Sequence, residues 1–238
     1  MARTPVWTSI AQHLTADIAE GRHATGDRLP TEAQLAARFG VNRHTVRRAL
    51  AALAEQGLVH ARRGAGVFVT ARPTDYPIGR RVRFHQNIAA SGRIPGKRIL
   101  SLTLRAADKR EAEALALAPG DPVQVYDGVS LVDEEPIAVF QSVFPGDRLP
   151  GLLDALRETQ SVTAALQRCG VADYTRVSTR ITARAATATQ ANQLRLAEGA
   201  PLIRTTGINV DSDGVPVEYG RSWFAGDRVT LTLSGDEG

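Results

Sequence analysis

The chain has one cysteine in 238 residues, which excludes an intrachain disulfide and any multi-cysteine metal site. Cys169 lies in an apolar helical run, TAALQRCG, and reads as a small core residue rather than a reactive thiol. The five histidines are scattered and show no metal-ligand spacing, so neither a metal nor another cofactor is expected. No stretch approaches the roughly 20 apolar residues of a membrane span. The first residues, MARTPVWTSI, lack the apolar core of a signal peptide. A soluble, cytoplasmic protein with no membrane partner is the expectation. Lysine is scarce too, at two of 29 basic residues, which reads as genomic base composition.

What is present is organised unevenly. The length allows one small and one medium domain, each with its own core. Residues 1–70 hold nine arginines against five acidic residues, whereas residues 71–238 are balanced at twenty of each. The whole net charge of +4 therefore lies in the first seventy residues, where a polyanionic partner would need it.

Within that basic region, Thr31 to Val69 reads as helix, turn, helix and two-stranded ribbon. A first helix over residues 7–20, with Trp7, Ile10, Leu14 and Ile18 at helical spacing, would brace it. Thr31 and Gln34 form a T-x-x-Q capping box for a short helix that carries Leu35, Ala36 and Phe39. Gly40 suits the left-handed residue that ends it. Asn42 can cap the next helix, which would bury Val46, Leu50 and Leu53 and leave Arg43, His44, Arg47 and Arg48 outside. Leu58–Arg62 and Gly66–Val69 form the ribbon around Arg63, Gly64 and Ala65. This is the pattern of a winged helix-turn-helix, whose second helix enters the major groove of DNA.

The run GDRLPTEAQLAARFGVNRHTVRRALAALAEQGLVHARRGAGVFV resembles the N-terminal domain of GntR-family bacterial transcription regulators. The resemblance implies that Asn42, Arg43, His44, Thr45 and Arg47 face DNA, with Thr31 at the start of the first motif helix and Arg63 and Gly64 at the wing tip. Some members carry an arginine where this sequence has Ala33, so an operator cannot be transferred from relatives.

TARPTDYPIG then breaks the composition, placing a linker at residues 71–79 between a domain of residues 1–70 and one of 80–238. The second domain contains a repeat. An offset of 79 residues lays Thr103, Arg105, Leu115, Gly120, Pro122 and Gly128 on Thr182, Arg184, Leu194, Gly199, Pro201 and Gly207. One inserted residue, DEE against DSDG, makes the offset 80, and Pro136, Ser142, Phe144 and Gly146-Asp147-Arg148 fall on Pro216, Ser222, Phe224 and Gly226-Asp227-Arg228. Each copy reads as strand, capped helix and strand pair, with Asp108 and Thr187 as equivalent caps. Two copies would make one antiparallel sheet with packed helices and a pseudo-twofold axis, so the fold class is α+β.

This domain resembles the UTRA ligand-sensing module of the HutC branch of GntR regulators, and RFHQN, STRITARA and VEYGRSWF resemble PhnF-type members. The resemblance implies a chorismate-lyase-like fold with a pocket for a small polar or acidic effector. It places Phe84, His85 and Gln86 in a loop at that pocket, with Arg180, Arg184, Glu218 and Phe224; the polar stretch from His85 could equally be a helix cap. Glu218 aligns with Ala138 in the repeat, and a carboxylate in one copy alone is not required by the shared fold. Arg184 aligns with Arg105, so a structural role in both halves is equally open. Relatives that bind phosphorylated ligands place arginines on the strand matching Tyr126–Leu131, and YDGVSL has none.

The expected function is a sequence-specific regulator of transcription, a repressor relieved by a metabolite and acting as a homodimer on a double-stranded operator. The alternative is a DNA-tethered enzyme of chorismate-lyase-like fold, for which Glu218 with His85 is the one acid–base pairing available and no catalytic set stands out.

Overall fold

The computed structural model describes residues 5–24, 26–62, 64–70 and 73–233. The chain forms two compact units, Met1–Arg72 and Pro73–Gly238. Among the described residues no helix is long and apolar enough to cross a membrane.

In the first unit, helices α1 (Val6–Ala19), α2 (Glu32–Phe39) and α3 (Arg43–Glu55) precede strands β1 (Val59–Arg62) and β2 (Gly66–Val69). The local chemistry sets the boundaries. Thr31 and Gln34 satisfy each other's orphan groups in a full capping box, and Gly40 closes α2 at φ 64°. Asn42 Oδ1 accepts from the Thr45 amide at 2.9 Å and starts α3. Leu14, Leu35, Val46 and Leu53 are fully enclosed where the three helices meet. Asp17 is buried with them and binds Arg22 and Arg38, tying α1 to α2.

The second unit departs from the sequence reading at its start. Four residues of the expected linker, Thr74–Pro77, are a strand, β3, paired in parallel with the last strand β10 (Val229–Thr232). β10 thus lies outside the main sheet. Helix α4 (Phe84–Ala90) follows β3, so Phe84, His85 and Gln86 sit in a first helical turn and not in a loop.

The repeat is visible as topology. Copy one is β4 (Pro95–Ala106), α5 (Lys109–Leu115), β5 (Pro122–Val132) and β6 (Glu135–Pro145). Copy two is β7 (Tyr174–Ala185), α8 (Ala188–Leu194), β8 (Pro201–Asp211) and β9 (Pro216–Ala225). The sheet order is β4-β5-β6-β9-β8-β7, antiparallel throughout, so the halves join at β6 and β9. Gln141 pairs in register with Arg221, its own equivalent in the repeat, and this pair marks the pseudo-twofold. Asp108 and Thr187 each complete a capping box. At Gly146 and Gly226 an added Cβ would lie 2.7 and 2.9 Å from the carbonyl oxygens of Pro122 and Pro201, which explains the repeated glycine.

Alternation along β6 and β9 separates two layers. Val139, Val143, Tyr219 and Trp223 pack under α5 and α8. Phe140 and Phe144 face helices α6 (Leu152–Thr159) and α7 (Val162–Arg168), which connect the copies. Glu111 of α5 is completely enclosed, and it receives Arg105 at 2.6 and 2.8 Å and Arg221 at 2.9 Å. In the second copy Gln190 stands where Glu111 stands in the first. Arg184 therefore has no carboxylate to mirror the Arg105 pair; it is exposed and donates to the Ala183 carbonyl.

The Arg105 hydrogen bonds hold the Glu111 carboxyl below its ordinary value of 4.5 against the opposing effect of burial. A lowered folded-state pKa contributes stability that is present above the unfolded value and lost as pH falls through the folded one. Glu111→Gln is expected to lower unfolding free energy by about 2–3 kcal/mol at neutral pH. It should also flatten the decline below pH 4.5, as urea titrations across pH would report.

Candidate functional site

Two surfaces carry the sequence-predicted residues, one in each unit. On α3, Arg43, His44, Arg47 and Arg48 are exposed around the N-terminal half. Their engagements differ. Arg47 forms a bidentate pair with Glu32 at 3.0 and 2.7 Å, and those hydrogen bonds hold the Glu32 carboxyl below its usual value. Arg48 stacks on Trp7, 4.7 Å from the ring centre, and Arg38 is taken by Asp17. Arg43 makes no hydrogen bond or ion pair among the described residues. The side chains of Thr31 and Asn42 are occupied as caps, and Thr45 donates its hydroxyl to Asn42. Gly64 turns the hairpin at φ 75°, and Arg63 lies outside the described residues.

In the second unit a cavity of about 370 Å³ opens on the sheet face shared with α6 and α7. Its lining includes Ser142 of β6 and Gly220 and Ser222 of β9, small residues on the strands that meet at the pseudo-twofold. Phe84, His85 and Gln86 line it from α4, Phe224 and Glu218 from β9, and Tyr76 from β3. Five of the seven predicted effector residues are thus brought together. Arg180 and Arg184 are not; both are exposed on β7, an outer strand of the sheet, and neither lines the cavity.

Glu218 is buried and held by neutral donors, Ser142 Oγ at 2.6 Å and Asn209 Nδ2 at 2.6 Å. Arg176 lines the cavity and donates to Asn209 Oδ1 at 2.6 Å. Lys97 Nζ bonds Ser130 Oγ at 2.6 Å and lies 4.1 and 3.9 Å from the ring centres of Phe84 and Phe140. Burial lowers the Lys97 ammonium to about 7, against an opposing pull from Glu218. His85 is lowered by burial and then by the Lys97 charge. Burial also raises the Tyr174 phenol to about 12.

Comparison with known proteins gives this arrangement a context. The profile "Bacterial regulatory proteins, gntR family" matches residues 8–69, and that of the UTRA domain matches residues 90–230. The chain is 40% identical to an uncharacterized HTH-type transcriptional regulator of Rhizobium meliloti (strain 1021), over 96% of this chain and 94% of that protein. The chain belongs to the GntR family. Within it, the chain is 33% identical to the probable transcriptional regulator PhnF of Escherichia coli (strain K12), over 95% of this chain and 94% of that one. The crystal structure of PhnF from Mycobacterium smegmatis superposes with a TM-score of 0.66 at 27% identity, covering 96% of this chain and all of that one. This GntR-family chain is therefore a PhnF-like transcriptional regulator with a UTRA domain. Its relatives are regulators, and the alternative of a DNA-tethered enzyme finds no support in them.

Several cavity residues were absent from the sequence-based set: Tyr76, Lys97, Ser142, Tyr174 and Arg176. For two of them the repeat held a signal, because Lys97 and Arg176 are equivalent at the 79-residue offset and their partners Ser130 and Asn209 are equivalent too. The repeat also supplies an internal control for the carboxylate. Ser142 and Ser222 are equivalents, yet only Ser142 touches Glu218. Ser142→Ala is expected to destabilise the protein by about 1–3 kcal/mol, because a buried carboxylate loses a donor. Ser222→Ala should change it by less than about 0.5 kcal/mol. Paired denaturation curves test both.

Proposed function

We propose that this regulator is a repressor that grips its operator as a symmetric homodimer and releases it when a small polar or acidic metabolite enters the cavity of the second unit. The observation that carries the reading is the course of the chain after the unit boundary. Tyr76, Ile78 and Val82 to Gln86 all line the cavity, within fifteen residues of the Arg72–Pro73 division. A ligand touching them acts on the segment that continues into the DNA-binding unit. It can shift the heads only through unequal affinity for their DNA-competent and incompetent arrangements, and DNA must then weaken ligand binding by the same factor.

On the DNA side, Arg43, His44, Thr45 and Arg47 face the major groove in this reading. Thr31 and Asn42 present the capped starts of α2 and α3, and Arg63 and Gly64 meet the adjacent backbone. Arg43 is free to reach a base edge, whereas Arg47 must first exchange Glu32 for DNA. Two copies are needed because one recognition helix reads too few bases. The outer strands β4 and β7 leave Leu104, Val177 and Ile181 exposed at the edges of the sheet, which favours the second unit as the dimer contact.

Three outcomes test this reading. Arg43→Ala should lose about 1–3 kcal/mol on operator DNA and relax one base position per half-site; equal weakening on random DNA would make it a phosphate contact. A fragment of residues 73–238, which keeps the β3–β10 pair, should scatter light as a dimer at about ten micromolar, and a monomer would move the interface elsewhere. Glu218→Gln should abolish induction and leave operator affinity unchanged; a variant that is still induced removes Glu218 from the switch.

A further inference from the structure

The charges lining the cavity are unbalanced on one side of the pseudo-twofold. The lining contains three basic side chains, Arg83, Lys97 and Arg176, and one carboxylate, Glu218. Arg83 is paired with Asp173. Arg176 is tied to Asn209, which also holds Glu218, so the second copy carries cation and carboxylate in one hydrogen-bonded chain. The first copy has Lys97 in the place of Arg176, Ser130 in the place of Asn209 and Ala138 in the place of Glu218. Lys97 therefore has a hydroxyl partner and no ion pair among the described residues, and Glu218 reaches it only through its field.

The surplus charge is also fixed in place. The ammonium sits against the rings of Phe84 and Phe140, which hold a cation without neutralising it. β5 offers no cation of its own there, since its cavity-side positions are Gly128 and Ser130.

We propose that Lys97 is the anion-reading residue of the cavity: the ligand carries an oxyanion that seats on Lys97 Nζ beside Ser130, and turns its hydrogen-bond donors toward Glu218. This rests on the cavity being the effector site. The required chemistry is shared by a carboxylate and by a tetrahedral oxyanion such as a phosphate, phosphonate or sulfonate. Burial lowers the proton affinity of Lys97, and an arriving anion would favour its charged form. His85, Arg83, Arg176, Glu218, Tyr76 and Tyr174 are the other titratable or charged groups of the lining.

The chain contains only two lysines, and Lys109 is exposed on α5, so the test reads out directly. Full-length protein labelled with carbon-13 at lysine Cε is titrated with pH in sodium chloride, then in sodium acetate, phosphate and sulfate at matched ionic strength. The Lys97 midpoint, near about 7 in chloride, is expected to rise by about one pH unit in an oxyanion, with Lys109 unmoved. A larger rise in acetate assigns a carboxylate, and a larger rise in phosphate or sulfate assigns the tetrahedral class. Equal Lys97 midpoints in chloride and all three oxyanions overturn the assignment. A metabolite that releases the operator through Glu218 but leaves the Lys97 resonance in place also overturns it, while keeping the cavity as the effector site. A metabolite that releases the operator and disturbs neither residue removes the effector site itself.

Discussion

The antiparallel pairing of β6 with β9 decides what the rest of the second unit can be. It joins two three-stranded halves, and its register places the equivalent residues Gln141 and Arg221 opposite one another. One face of that seam then carries Ser142, Gly220 and Ser222, whose small side chains leave the cavity open. The other face carries Gln141 and Arg221, which connect to the enclosed Glu111. Because side chains alternate along a strand, a slip of one residue would send the Arg221 cluster into the cavity and the serines under the helices. Cavity and buried ion cluster are thus two consequences of one register.

The two halves share a scaffold and differ in where they place acid. The glycines at 146 and 226, the capping boxes at 108 and 187, and the arginines at 148 and 228, which reach across to the other copy and bind the carbonyls of Pro216 and Pro136 respectively, are common to both. These residues answer backbone demands that any strand–helix–hairpin unit makes. The carboxylates Glu111 and Glu218 are each unmatched, one on either face of the sheet, and face Gln190 and Ala138 as equivalents. Burying a carboxylate without its donors is costly, so each carries its own set: two arginines for Glu111, and an amide and a hydroxyl for Glu218. Glu218 is thus satisfied without a cation.

What the sequence disclosed follows the range of the interactions involved. Helix starts at Thr31, Asn42, Asp108 and Thr187 depend on groups three residues apart, and each was legible as a short pattern. The repeat was legible because identical turns demand identical glycines and prolines. The strand Thr74–Pro77 was not, since its partner lies more than 150 residues away and its prolines suggest a linker. Tyr76 and Tyr174 entered the cavity for the same reason, through contacts that no local pattern encodes. Arg180 and Arg184 were placed by resemblance, and the outer position of β7 turns them to solvent. Gln190 in the place of Glu111 was the readable warning for Arg184. Likewise the shared offset of Lys97 and Arg176 was the readable pointer to the cavity's cations.

The unmatched Glu218 has a consequence for stoichiometry. Two identical copies meeting on a true axis would present the same groups from both sides, and an unsymmetrical molecule could enter such a site in two equivalent orientations. Each orientation would push equally on opposite walls, and the average displacement of either wall would be small. With both copies in one chain, Ala138 stands on one side and Glu218 on the other, so the two orientations no longer have equal energy. A molecule bound in one orientation pushes one way. In the proposed switch, that directionality is what would let occupancy of the cavity be read by the DNA-binding unit.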